Sequence, residues 1–136
     1  MGIFSWLSGN KKGQQQIVRL EGPGEFDLEI VGESHYQKEL NSITGGKTRD
    51  GHEMEVEALL IHDNKNPYDN QAIAVSIEGE IVGHLDRKLA RQFRKRMNEA
   101  GVPGYPAVCN AVIVGGWKRP NGDEGNYGVR LDLPTE

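Results

Sequence analysis

The chain has 136 residues, 36% of them apolar, and carries a formal net charge of −4. That length supports one domain with a core of its own and excludes two. No run approaches the ~18 apolar residues of a membrane span, and no basic n-region with a long apolar stretch opens the chain, so a soluble, cytoplasmic protein is expected.

The first residues, Ile3, Phe4, Trp6 and Leu7, form a short apolar cap that either docks on a partner or a membrane surface or frays. Trp6 stands where an N-myristoylation signal needs Ser or Thr. A Gly-, Lys- and Gln-rich stretch over 8–16 reads as a linker, making 1–16 a flexible N-terminal segment and 17–136 the folded domain.

Eighteen glycines and only 7% aromatic residues favour short strands and turns over a helical bundle. Alternation of Phe26, Leu28 and Ile30 with Asp27 and Glu29 predicts a first strand over 26–30, and residues 36–43 a short helix before Gly45-Gly46. Met54, Val56, Ala58 and Leu60 alternate with Glu53, Glu55 and Glu57 in a second strand with an acidic outer face. Ile73, Val75 and Ile77 mark a third, Glu78-Gly79 a tight hairpin turn, and 81–85 a fourth. Residues 107–114 are nearly all apolar and predict a central fifth strand, and Tyr127, Val129, Leu131 and Leu133 a sixth. Cys109, the single cysteine, lies inside the apolar run and is expected as a buried thiol of a reducing compartment.

One long helix is predicted over 86–100, with Asp86 as N-cap, Gly101 as its stop and Pro103 preventing continuation. Leu85, Leu89, Phe93, Met97 and Ala100 fall on one face, and Arg87, Lys88, Arg91, Arg94 and Lys95 on the other. With Arg96, these five cations make six of the sixteen basic residues in the chain. Such a stripe on an acidic protein fits either a phosphate-binding face or an ordinary solvated one.

The segment Asn66-Pro67-Tyr68-Asp69-Asn70-Gln71-Ala72-Ile73-Ala74-Val75 runs a polar turn into a strand. Pro67 and the turn-forming Asn66, Asp69 and Asn70 rigidify it. Taken alone, Tyr68 and Asp69 admit two readings, a packing lid with an Asx-turn or a stacking ring beside an acceptor. No nucleotide-phosphate loop and no dinucleotide fingerprint is present, and His35, His52, His62 and His84 lack metal-ligand spacing, so no cofactor, metal or catalytic site is expected. His62 and Asp63 sit at a strand end and could act together as a base, but no nucleophile is evident; Trp117 after Gly115-Gly116 reads as a core lid in preference to a stacking platform.

Three motifs in order, Val31-Gly32-Glu33-Ser34-His35-Tyr36-Gln37, the 66–75 segment, and Val82-Gly83-His84-Leu85-Asp86-Arg87-Lys88-Leu89-Ala90, together resemble a HIRAN domain over about residues 24–133. That family comprises accessory modules of helicase-like, fork-remodelling DNA translocases and small stand-alone bacterial or phage proteins. The resemblance implies a small barrel related to OB and SH3-like folds, and capture of single-stranded DNA at a free 3′-hydroxyl in DNA repair or replication-fork processing. It implies that His35 and Tyr36 line the strand surface and that Asn66, Tyr68 and Asp69 form an end pocket. There Tyr68 stacks on the terminal base and Asp69 accepts from the terminal hydroxyl. His84 and Arg87 would meet backbone phosphate, supported by Lys88 and Arg91. The chain departs from the DNA-binding members at Ser34, where they carry a basic residue, and at His35, where they carry an aromatic; losing that cation weakens phosphate contact.

The expectation is therefore a mostly β protein, a six-stranded OB/SH3-like barrel with one long and one short helix, acting as a non-enzymatic binder of single-stranded DNA ends. A helicase-like translocase or another protein docking on the N-terminal segment is the second expected partner. The alternatives are a protein-interaction adaptor without DNA binding and a small hydrolase using His84, His35 and Asp69.

Overall fold

The computed structural model describes residues 3–7 and 16–134. It is mostly β, a strongly curled sheet with two helices, as the strand and turn pattern predicts. The strands are β1 (Ile3–Leu7), β2 (Ile17–Glu21), β3 (Leu28–Glu29), β4 (His52–Asp63), β5 (Ala72–Ile77), β6 (Glu80–His84), β7 (Ala107–Gly115) and β8 (Tyr127–Asp132). The helices are α1 (Gln37–Thr44), preceded by a 3-10 turn at Glu33–His35, and α2 (Arg87–Glu99).

β7 is the spine, as its apolar run predicts. One edge pairs antiparallel with β4 from His52↔Gly115 to Leu60↔Ala107. The other edge is shared end to end by β2, which runs parallel at Ala107 to Cys109, and β8, antiparallel from Asn110 to Gly115. β4 is long enough to turn a corner: its last residues, Leu59 to Asp63, pair with β5, overlapping the β7 ladder at Leu59 and Leu60. β5 and β6 form the hairpin expected at Glu78-Gly79, where φ of 52° and 84° at the two central residues gives the primed turn that suits strand twist.

The sheet closes through very little backbone. Leu28 and Glu29 of β3 pair with β8, and the Ile30 N–H donates to the Val129 carbonyl. One residue later Val31 pairs with His84 at the end of β6, through N–H···O bonds of 2.8 and 2.9 Å. This crossing joins the two ends of the curled sheet. Gly83 makes room for it, since a Cβ there would lie 2.7 Å from both the Val31 carbonyl oxygen and Ile30 Cδ1.

The core follows the predicted alternation. Ala58 and Leu60 of β4 are buried while Glu53, Glu55 and Glu57 are exposed. β5 departs from simple alternation: all six residues are buried, and α2 packs against it. Cys109 is fully buried, and loss of hydration pushes its thiol up to about 12, with Asp132 adding to the rise. Trp117 is half-buried under Gly125, with the Arg119 guanidinium 4.3 Å above its ring.

Several boundaries differ from expectation. The strand predicted over 26–30 shortens to Leu28–Glu29, because Phe26 takes a positive φ of 50° and leaves the ladder. Tyr36 precedes α1 as its N-cap residue instead of starting the helix. On α2 the buried positions are Ala90, Phe93 and Met97, whereas Ala100 is exposed past the last turn. β1 and β2 join the six expected strands; β1 lies antiparallel to β2, and the linker residues 8–15 fall outside the described residues.

Gly83→Ala is expected to destabilise the protein by about 1–3 kcal/mol, because the added methyl meets backbone at the closure. Chemical denaturation reads this directly, and an unchanged midpoint would mean that the crossing can shift without cost.

Candidate nucleic-acid interface

Two local turns shape the loop between β4 and β5. The Asn66 carboxamide oxygen accepts from the Tyr68 N–H at 2.9 Å, and Asp69 Oδ1 accepts from the Gln71 N–H at 3.0 Å. Each is an Asx-type bond, in which a short polar side chain replaces a backbone partner two residues on. Between them Tyr68 is left 87% exposed. It and Val31 are the exposed large hydrophobic residues among those described.

The loop is fastened to α2. Asp86 caps the helix by accepting from the Leu89 N–H at 2.8 Å, which presents the first turns toward the loop. Arg91 grips Asp69 with both terminal nitrogens, at 2.7 and 2.9 Å, the fork-on-carboxylate geometry that adds direction to charge. Arg87 donates to the Tyr68 carbonyl at 3.1 Å, and its Nε lies 3.9 Å from Asp69 Oδ2. Arg94 donates to the carbonyls of Gln71 and Ala72 and to the Asn64 side chain. The Asp69 side chain is only 12% exposed. The Arg91 guanidinium, helped by the Gln71 N–H, holds its carboxyl down to about 2.

His84 completes the cluster. Its Nε2 lies 3.3 Å from Asp63 Oδ2, which also accepts from the Asn66 carboxamide at 3.1 Å. A chain of polar contacts therefore runs from β6 through Asp63 and Asn66 to the Tyr68 backbone. On the other side of His84, the Val31 bridge leads into the 3-10 turn, which packs against β6 and carries His35, with Tyr36 directly after it. His35 is exposed and Tyr36 half-buried. Further contacts fix this turn and α1 to β8: Glu33 accepts from the Val129 N–H, and Gln37 bonds both the N–H and the carbonyl of Tyr127.

Of the residues singled out by sequence, Asn66, Tyr68, Asp69, Arg87 and Arg91 form one bonded unit, and His84 joins it through Asp63. Lys88 is exposed on α2, without an ion-pair partner among the described residues. Asp69 differs from the bare acceptor that the resemblance implies: each oxygen already carries an Arg91 bond. Asp63 and Arg94 act as positioning residues, a role that the sequence, which places Asp63 at a strand end and Arg94 in the basic stripe, does not assign them. The signal for Asp63 is its place at the end of the acidic β4, next to a turn rich in side-chain donors; Arg94 reads only as one more cation of the stripe. The acidic row starts six residues from Asp63, about 20 Å along an extended strand at Glu57, where Arg19 pairs with it at 2.7 Å.

No protein-family model, no curated protein and no solved structure matches this chain.

The clamp sets a pH dependence. The carboxyl of Asp69 titrates near 2 in the folded protein against an ordinary 3.8. The charged form thus favours the folded loop at and above neutral pH, and that contribution disappears as pH falls from about 4 to about 2. The stability difference between wild type and Asp69→Asn should shrink over that window, and a carbon-detected titration should place the Asp69 midpoint near 2. A midpoint at the ordinary value would show that the pair does not persist in solution.

Proposed function

We propose that this protein is a non-catalytic, HIRAN-like module that binds single-stranded nucleic acid, DNA with a free 3′-hydroxyl in particular. The observation that supports this most is the Tyr68 ring, 87% exposed on a loop whose backbone is bonded to the first turns of the basic helix. A nearly fully exposed ring on a fixed backbone is a poor packing lid and a good platform for a flat, apolar face. Stacking one base on such a ring contributes about 1–3 kcal/mol, more than a single exposed ion pair.

In this reading the terminal base stacks on Tyr68 while Arg87, bonded to the Tyr68 carbonyl, and Lys88, exposed one residue on, meet the adjoining phosphates. His35 and Tyr36, across the Val31–His84 bridge, border the path of the strand. Asp69 acts first as a clamp. A carboxylate has about four acceptor positions; the two Arg91 bonds and the Gln71 N–H take three, leaving one on Oδ2 for a hydroxyl donor. Asp63, bonded to Asn66 and His84, adds negative charge near the loop that disfavours a terminal phosphate. With the Asp69 charge offset by Arg91 and Arg87, the preference for a hydroxyl end rests mainly on the hydrogen bond that the remaining acceptor position of Asp69 can take. Such a module fits DNA repair or replication-fork processing, with any motor activity supplied by a separate helicase or translocase.

A second reading, a protein-interaction adaptor, has one observation in its favour. Among the described residues β1 pairs with β2 alone, leaving one strand edge open to a partner strand. Salt separates the two readings, because phosphate contacts weaken steeply with ionic strength and strand addition does not.

Fluorescent single strands ending in 3′-hydroxyl or 3′-phosphate, and a closed circle, provide the test. The hydroxyl end should bind tightest, and Tyr68→Ala should weaken it about tenfold or more. Equal affinity for all three would remove the end preference and leave general strand binding. No binding to any of them would overturn the proposal.

A further inference from the structure

Arg91, the partner of Asp69, also borders a cleft that the Tyr68 tip does not line. It is bounded by α2, by the start of the β4–β5 loop and by the turn at Pro103-Gly104. Its charged walls are Arg91, Arg94 and Lys95, and no carboxylate lines it. Polar amides of Asn64, Gln71 and Asn98 complete the surface. The cleft encloses about 490 Å³, room for a phosphate group with its neighbouring sugar.

The cations differ in how far they are committed. Arg91 is spent on Asp69. Arg94 uses Nε and Nη2 to hold Gln71, Ala72 and Asn64, so its guanidinium is fixed in place with Nη1 still unused. Lys95 is exposed and carries no ion pair among the described residues. His62 adds no charge: its Nε2 donates to the Tyr105 carbonyl, and burial lowers its pKa. A pre-oriented guanidinium edge beside a free ammonium, in a cleft whose lining holds no acid, suits an oxyanion such as a phosphate group.

We infer that this cleft binds a phosphate group, and that its source is the backbone of a strand continuing from Tyr68. The identification of the source rests on the strand-binding reading above; the cleft chemistry does not. Arg87, Arg91 and Lys95 succeed each other at i, i+4 and i+8, a single ridge about 12 Å long at 1.5 Å per residue. A strand that begins at the ring and follows this ridge reaches Lys95 several nucleotides in. The footprint is then longer than the end pocket alone, and the added segment is read through charge without regard to base.

The test uses the full chain and two probes. Oligothymidylates of two and six nucleotides, each with a 3′-hydroxyl, are compared on wild type, Lys95→Glu and Lys118→Glu, the last a remote control on the 116–126 segment. Lys95→Glu should leave the dinucleotide unchanged and weaken the hexanucleotide. It should also lower the salt slope for the hexanucleotide by about 0.7, the value of one lost single-strand phosphate contact. Lys118→Glu should do neither. Pyrophosphate alone, followed through the Gln71 and Asn98 amide signals, is the second probe. If those signals shift, with Lys95 required, while no oligonucleotide binds, the cleft stands as a site for a free phosphate compound and the strand-binding reading fails. If the hexanucleotide binds Lys95→Glu as it binds wild type and pyrophosphate moves neither amide, the inference is overturned.

Discussion

The whole arrangement hangs on the place where the curled sheet meets itself. Val31 and His84 exchange two backbone hydrogen bonds across a gap that only a glycine at position 83 leaves open. One residue pair thus converts an open sheet into a small barrel. The same pair decides which side chains meet: it sets the 3-10 turn with His35 and Tyr36 on one side of β6, and the Asp63–His84 contact on the other. α2 follows β6 after a short connection, so its basic first turns emerge at that junction as well.

What the junction assembles, Asp69 secures. A carboxylate beside a prominent tyrosine looks like a ligand when only the sequence is read. In the fold it is foremost a clamp, drawing an eight-residue connection between two strands onto the flank of α2 through a bidentate arginine. Arg87 and Arg94 add bonds to loop carbonyls on either side. A loop ordered before binding spares much of the side-chain and loop-ordering cost, which runs to about 0.5–1.5 kcal/mol per immobilised side chain. The ring of Tyr68 needs that help, since stacking alone is worth little more.

Legibility followed the range of the interactions. Local signals were plain: the Asp86 cap, the Gly101 stop, the primed turn at Glu78-Gly79 and the buried run of β7 all appear where composition and spacing put them. Non-local ones were hidden. β2 is a five-residue segment beside a Gln-rich stretch, and its parallel pairing with β7 lies some ninety positions away in the chain. β3 lost residues to a left-handed Phe26 that no propensity marks. At the site, the cationic stripe could be read from residue types, whereas the Tyr68 ring stayed open between a packing lid and an exposed platform. The Arg91–Asp69 grip could not be read, because it spans 22 positions and exists only once the loop docks on the helix.

The central claim is that the Tyr68 loop and the basic ridge of α2 act together as the strand-binding face. Amide chemical-shift mapping of the full chain with a short 3′-hydroxyl single strand tests it most directly. The account predicts shifts concentrated at residues 66–71, at His84 and along 87–95, with the Glu53, Glu55 and Glu57 face of β4 unmoved. Shifts confined to that acidic face or to the β1 edge, with 66–71 silent, would contradict it.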